Sequence, residues 1–429
     1  MNKQFLCFIF LCQSSLLSIA NVSNANEVSI ESSLVCSSDD ICTFIRPLSA
    51  DNGSMEQFPY RFKYRKAKEN APTAVLVPGG PGDILSQYDV NNIKDIPQDY
   101  GVILIDPRFT GINSHPQSLN FTRAITSKGV AEDILMTLKV LNVRDYILYG
   151  ISYGTVPATI ASALAIENPP RALILDGTVG RALKQAEYVK EFSKQWSQFV
   201  QTLSPNLFHQ FKEKVKNIIK QNIFTADQMG DIISAFILQR YSEKGEDQLL
   251  ELISFVSIGD EESIRFYMQY FINLLEEMKK NPDSQLFHSI ILCRELSPDT
   301  HPDSSDFAFN GERNELQEGG RANCSQYIKP KDIQLFDSKL FQVHAPIIYL
   351  QGGNDPATPV KQGLYHFKNQ IAPKGKYFVY QTKGGHELLS GELKKCNINF
   401  WDRLKEDNIE NSVREFIPCG ATINPNFIQ

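Results

Sequence analysis

The stretch Leu148-Tyr149-Gly150-Ile151-Ser152-Tyr153-Gly154-Thr155 reads as the end of a strand, a sharp turn and the start of a helix. An apolar run, Tyr146 to Tyr149, feeds into Gly-x-Ser-x-Gly, and small residues follow from Thr155 to Ile166. A turn of this kind lifts a serine hydroxyl into the open above a sheet. Glycines flank it because the turn is too tight for side chains on either side, and the serine itself sits in a strained backbone conformation. Ser152 is therefore the candidate covalent nucleophile.

Working outward, Ala74 to Val77, Val102 to Ile105, Tyr146 to Tyr149 and Ala172 to Leu175 are apolar almost throughout. Continuous apolarity marks strands covered on both faces, as in a parallel sheet. Gly129 to Leu141 carries Val130, Ile134, Leu135, Leu138 and Leu141 at helical spacing and suits a crossover helix. From about Arg181 to Leu335 the texture becomes Lys-, Glu-, Gln- and Phe-rich, with helical periods in Phe208 to Ile219, Ile232 to Tyr241 and Ile264 to Met278. No strand is expected there, and Ser297 to Gly320 reads as a polar loop. The strand pattern resumes at Pro346 to Leu350 and Lys376 to Tyr380. The expectation is an α/β core in two parts, residues 26–180 and 336–429, interrupted by a mainly helical insertion at 181–335.

A serine hydroxyl needs a base to take its proton and a third group to orient that base. In sheets of this type the partners follow in the order serine, acid, histidine. Ile347 to Leu350 leads into Gln351-Gly352-Gly353-Asn354-Asp355, and Tyr377 to Tyr380 leads into Thr382-Lys383-Gly384-Gly385-His386-Glu387. Both polar residues lie just past strand ends, where open α/β sheets place their sites. Of the six histidines that follow Ser152, His209, His288 and His301 fall in the insertion, His344 precedes its strand and His366 lies in a helical segment. His386 is the candidate base and Asp355 the candidate orienting acid. Asp176 ends an earlier strand and is read as ordering the loop Gly177-Thr178. Pro78-Gly79-Gly80-Pro81-Gly82 has almost no side chains, so its amides can approach a substrate carbonyl. The Gly80 and Tyr153 N–H groups are the candidate oxyanion donors.

The whole chain sets bounds on these assignments. Its 429 residues are 42% hydrophobic with a net charge of −6, which argues against nucleic acid or an anionic membrane as the main partner. Lys3, the apolar run Phe5 to Leu11 and small residues up to Ala20 or Ala25 read as an export signal over residues 1–25, too short to span a bilayer as a mature helix. Localisation is then periplasmic or extracellular. Beyond the signal, six cysteines remain: Cys36, Cys42, Cys293, Cys324, Cys396 and Cys419. An even number in an exported chain suggests three disulfides, and proximity favours Cys36–Cys42, Cys293–Cys324 and Cys396–Cys419. Without Cys-x-x-Cys or His-x-x-x-His, no metal site is expected.

Pro78-Gly79-Gly80-Pro81-Gly82, Asp106-Pro107-Arg108-Phe109-Thr110-Gly111, Gly150-Ile151-Ser152-Tyr153-Gly154-Thr155, Asp355-Pro356-Ala357-Thr358-Pro359 and Gly384-Gly385-His386 together resemble the successive signatures of α/β-hydrolase serine aminopeptidases. The resemblance is to the prolyl aminopeptidase family, in particular its secreted tripeptidyl-aminopeptidase-like branch. It spans roughly residues 60 to 425, and four of the cysteines resemble those of that branch. The chain departs from the family at Pro78, where histidine is usual, and at Phe109, which replaces a glycine and is expected to reshape the pocket wall. The resemblance implies an α/β-hydrolase fold, an insertion that caps the active site and acidic cap residues that hold the substrate's free amino group. Glu295, beside Cys293, is the candidate for that role. It further implies cleavage of peptides from a free N-terminus through an acyl-enzyme, with no cofactor. An ester hydrolase would use the same triad and is the alternative. A non-catalytic binding protein on the same fold is disfavoured by the complete Ser, Asp and His set.

Overall fold

The computed structural model describes residues 34–423 apart from 49–55, 94, 114–120, 242–244, 279–280, 300–306, 311–314 and 320–323. The export signal expected over residues 1–25 lies outside the described residues. The chain opens on β1 (Val35–Cys36), β2 (Ile41–Pro47) and β3 (Gln57–Arg65). The four apolar runs then form β4 (Thr73–Val77), β5 (Gly101–Leu104), β6 (Tyr146–Ile151) and β7 (Ala172–Asp176). Helix α1 (Ser127–Val140) crosses between β5 and β6, its first turn capped by the Thr126 hydroxyl accepting from the Gly129 N–H. Helix α2 (Thr155–Leu164) leaves the serine turn.

Six helices follow: α3 (Gln185–Val200), α4 (Pro205–Lys220), α5 (Ala226–Gln239), α6 (Gly245–Ile258), α7 (Glu261–Met278) and α8 (Pro282–Arg294). The apolar faces of α3 to α7 meet around Trp196, with Phe199, Phe208, Phe211 and Phe309 at edge or tilted angles, in a core of their own, whereas Phe287, Ile290 and Ile291 of α8 join the core of the main sheet. A hairpin, β8 (Phe307–Asn310) with β9 (Glu315–Glu318), packs on α5 and α3. This corrects the expectation of a strandless insertion. Phe307 and Phe309 are buried at period 2, with Leu316 buried opposite Phe309, within an otherwise polar stretch.

The main sheet is completed by β10 (Ile347–Gly352), β11 (Lys376–Gln381) and the short β12 (Thr422–Ile423), with α9 (Val360–Asn369), α10 (Asn397–Lys405) and α11 (Ile409–Arg414) between or beside them. Its ten strands run in the order β12-β11-β10-β7-β6-β4-β5-β3-β2-β1. The six from β5 through β11 are mutually parallel, and the flanking pairs are antiparallel. Val75 and Val77 face a core shared with α1 and α2, while Ala74 and Leu76 face one built on Phe400 and Trp401. Both faces are covered, which is why the central strands are apolar without alternation. The antiparallel edge extends the sheet beyond the sequence expectation. Cysteines pair as Cys36–Cys42, Cys293–Cys324 and Cys396–Cys419, the arrangement proximity favours. Among the described residues, no helix is long and apolar enough to cross a membrane.

Phe109 explains its own departure from the family pattern. Its φ is 64°, the left-handed region that favours glycine. Its ring lies in the core, 1% exposed, against Phe58 at 4.9 Å and Phe121 at 5.6 Å, and not at a pocket wall. Phe109→Gly should relieve about 1–2 kcal/mol of backbone strain but lose about 3–5 kcal/mol of buried ring. Urea unfolding should therefore report a less stable variant; a more stable one would mean that strain outweighs packing here.

Candidate active site

The serine turn is built by close backbone approach. A side chain at Gly150 would come within 2.5 Å of the Gly154 carbonyl, and one at Gly154 within 2.3 Å of the Val77 carbonyl. Ser152 itself has φ 51° and is 3% exposed. Thr155 staples the turn: its hydroxyl donates to the Ser152 carbonyl at 2.6 Å and accepts from the Val179 N–H at 3.0 Å. The glycine loop after β4 comes up beside it, since a side chain at Gly79 would meet the Ser152 Cβ at 3.3 Å. Gly80, at φ 106°, has no room for a Cβ against the Gly82 N at 2.5 Å.

The structure brings Asp355 and His386 together. Past β10, the Asp355 Oδ1 accepts the N–H groups of Ala357 and Thr358, each at 2.9 Å, and its Oδ2 accepts the Thr358 hydroxyl. The same Oδ2 pairs with the His386 Nδ1 at 2.9 Å, with side chains 0% and 7% exposed. Because that oxygen belongs to a carboxylate, Nδ1 carries the hydrogen and Nε2 is the free base. Ile151 is in register with Asp176, so Ser152 and Gly177 stand side by side beyond β6 and β7. A side chain at Gly177 would strike the His386 Cε1 at 2.9 Å, which places the imidazole over the residue beside the serine.

Carboxyl groups crowd this end of the sheet. Burial would push the Asp355 carboxyl up, but the charge and hydrogen bond of His386 and the donors of Thr358 outweigh it and hold it below the usual range. Burial pulls the imidazole down, yet the charge and hydrogen bond of Asp355, then the charges of Glu387 and Asp176, push it up to about 9. Burial raises Glu387 to about 7 and Glu392 to about 7. It raises Asp83 well above the ordinary value, with the Glu387 charge adding to the effect.

Asp176 is buried, and burial raises it to about 6 despite three donors. These are the N–H of Leu388 at 2.9 Å, the N–H of Leu389 at 3.0 Å and the Tyr149 hydroxyl at 3.1 Å. It thus pins the segment just after His386, a correction to its expected role in ordering Gly177-Thr178. The Glu392 carboxylate accepts the Gly385 N–H at 3.0 Å and holds the same loop from its other side. His366 is fully buried between the Thr159 hydroxyl at 3.0 Å and the Tyr349 hydroxyl at 2.9 Å, away from the serine turn.

Glu295, the sequence candidate for the substrate's amino group, is engaged at the start of α1. It caps the C-terminal end of α8, is 7% exposed, and both its oxygens accept the Ser127 N–H, at 3.0 and 3.2 Å. Burial raises its carboxyl above the ordinary value, opposed by the hydrogen bonds from Ser127 and by the charge of Arg294. The sequence reading gave no role to Asp83 or Glu387, and it set His288 aside as a histidine of the insertion. Asp83 lies one residue past the glycine loop and Glu387 one past His386, so adjacency to the two motifs was the available signal.

A mostly parallel sheet with antiparallel edges, a serine turn after β6, and an acid and a histidine after β10 and β11 define the α/β-hydrolase fold. Residues 72–250 match the family model described as alpha/beta hydrolase fold. Among solved structures, the chain is similar to a proline iminopeptidase of Mycobacterium smegmatis (12% identity, 86% of this chain and 99% of that one, TM-score 0.46). It is also similar to an esterase of Exiguobacterium antarcticum (13%, 80% and 96%, 0.40) and a bromoperoxidase of Bacillus anthracis (16%, 83% and 96%, 0.42). No curated protein matches the chain in sequence.

Proposed function

We propose that this protein is an exported serine aminopeptidase, acting on peptides with a free N-terminus through an acyl-enzyme. The observation that carries the reading is the Asp355–His386 pair at 2.9 Å, its imidazole over the residue next to a serine held at φ 51°. Ser152 Oγ attacks the scissile carbonyl while His386 Nε2 takes its proton. Asp355 stabilises the imidazolium, and the N–H groups of Gly80 and Tyr153 receive the oxyanion. The imidazolium then protonates the departing amine, and water, deprotonated by the same base, releases the acyl group.

The helical insertion acts as a cap. It touches both walls of the site: a side chain at Gly82 would meet the Ser284 carbonyl at 2.6 Å, and one at Gly385 the Tyr241 Cβ at 3.0 Å. The peptidase specificity rests on the motif resemblance, and the charge of the site supports it. With Glu295 engaged at α1, Asp83 and Glu387, beside the glycine loop and the histidine, are our candidates to meet an ammonium. Asp83 Oδ2 is 3.6 Å from where a Gly79 Cβ would sit. A substrate ammonium in a partly dry pocket needs such partners. The three disulfides suit an oxidising compartment.

An active-serine phosphonate should label the protein, and Ser152→Ala should abolish labelling; persistent labelling of the variant would identify another nucleophile. N-acetylating the best peptidyl arylamide substrate should remove its cleavage. Unchanged cleavage, together with rapid turnover of simple acyl esters, would make the enzyme an ester hydrolase instead.

A further inference from the structure

One helix of the insertion reaches both proposed oxyanion donors. On α8, the His288 Nδ1 lies 3.0 Å from the Pro81 carbonyl oxygen. A carbonyl only accepts, so Nδ1 carries the hydrogen. One turn earlier, the Ser284 carbonyl packs against Gly82 closely enough to exclude a Cβ there. The adjacent Phe287 is fully buried, its ring 6.3 Å from that of Tyr153 in an edge contact. At the end of the helix, Glu295 holds the Ser127 N–H, and the Ser127 and Tyr153 hydroxyls pair at 3.0 Å. The loop that carries Gly80 and the residue that carries the second amide are thus both braced from α8. The Tyr153 side is anchored by buried packing and by a buried carboxylate. On the loop side, where side chains are nearly absent, the described side-chain hydrogen bond from α8 is that of His288.

We propose that His288 is a positioning residue of the acyl-transfer reaction: its Nδ1–H bond to Pro81 fixes the loop that presents the Gly80 amide to the developing oxyanion. The inference rests on the serine-hydrolase reading above. Oxyanion donors act only when already aimed at the place where charge develops, so a loop free to shift by a fraction of an ångström loses rate before it loses affinity. Burial supports the role. It lowers the His288 pKa to about 4, so the ring stays neutral and keeps this donor through the neutral range.

The test compares His288→Ala, His288→Asn and His288→Gln in the full-length protein by phosphonate labelling rate, arylamide kcat and KM, and thermal midpoint. An asparagine amide can stand where Nδ1 stands, whereas a glutamine amide reaches toward the Nε2 position and misses Pro81. His288→Ala and His288→Gln should label and turn over about 10- to 100-fold more slowly, with KM within about threefold of wild type. His288→Asn should recover most of that loss. Equal rates in all four proteins overturn the inference while leaving the serine nucleophile standing, and so does a fall shared equally by the Asn and Gln variants. A wild type that the phosphonate does not label removes the serine-hydrolase reading itself, and the inference with it.

Discussion

Asp355→Asn should lower kcat by about 10⁴-fold while leaving the fold and the phosphonate-accessible serine in place. The reason lies in how the carboxylate is divided. Oδ1 accepts two backbone N–H groups, from Ala357 and Thr358, and Oδ2 faces the His386 Nδ1. An asparagine has one acceptor and one donor for these two duties. Its oxygen satisfies the two backbone N–H groups at the lower cost, because unpaired buried amides are expensive. The NH₂ group is then aimed at Nδ1, which must become the acceptor. The hydrogen moves to Nε2, and the imidazole no longer has a lone pair to take the serine proton. The lost carboxylate charge also removes the principal stabiliser of the imidazolium. Steady-state kcat on a good arylamide, with circular dichroism to confirm the fold, reads this directly. A variant within tenfold of wild type would mean that another acid, Asp176 or Glu387, orients the base.

How much of this was legible in the sequence depends on how far each contact reaches along the chain. Central strands announced themselves because burial on both faces leaves continuous apolar runs, as at Ala172 to Leu175. The antiparallel strand β3 carried an equally clear signal of the other kind, with Phe58, Tyr60 and Phe62 buried at alternate positions. In β2 the same period is obscured by Arg46, which is buried because its Nε meets Asp133 at 2.7 Å on α1. A charged side chain at a core position defeats a pattern argument, and its partner lies 87 residues away. The glycine-flanked Ser152 and His386 were readable because tight backbone geometry leaves its mark on adjacent residues. Asp176 illustrates the opposite case. Its partners, Leu388 and Leu389, lie more than 200 residues downstream and donate backbone N–H groups, which carry no residue identity to read. The partner of Glu295 was hidden for a related reason: sequence shows a carboxyl near a disulfide, and only the packing of α8 against α1 shows which amide it serves.

The same carboxyl crowding sets the pH behaviour, and the two readouts of it move in opposite directions. Catalysis requires a neutral imidazole, and His386 is raised from an ordinary 6.5 to about 9, first against burial and chiefly by Asp355, with Glu387 and Asp176 adding to it. Below its pKa the neutral fraction falls about tenfold per pH unit. The acid limb of kcat/KM should therefore lie above 6.5, with activity still climbing between pH 7 and 9, a rise on the order of 100-fold for a single group so placed. Glu387→Gln removes a negative charge that favours the imidazolium, so its limb should move toward acid. Stability runs the other way. A histidine whose folded pKa exceeds its unfolded value contributes stability below about 6.5 and loses it as pH rises through about 9. Glu387 and Asp176, raised to about 7 and about 6 by burial, also bind protons more tightly in the folded state, so their stabilisation is lost as pH rises from the ordinary carboxyl range up to those values. Differential scanning across pH 6 to 9 should show the midpoint falling over the window in which kcat/KM climbs. An activity profile already flat by pH 6.5, or a midpoint that rises with pH there, would mean that Asp355, Glu387 and Asp176 together do not hold the imidazolium as their positions demand.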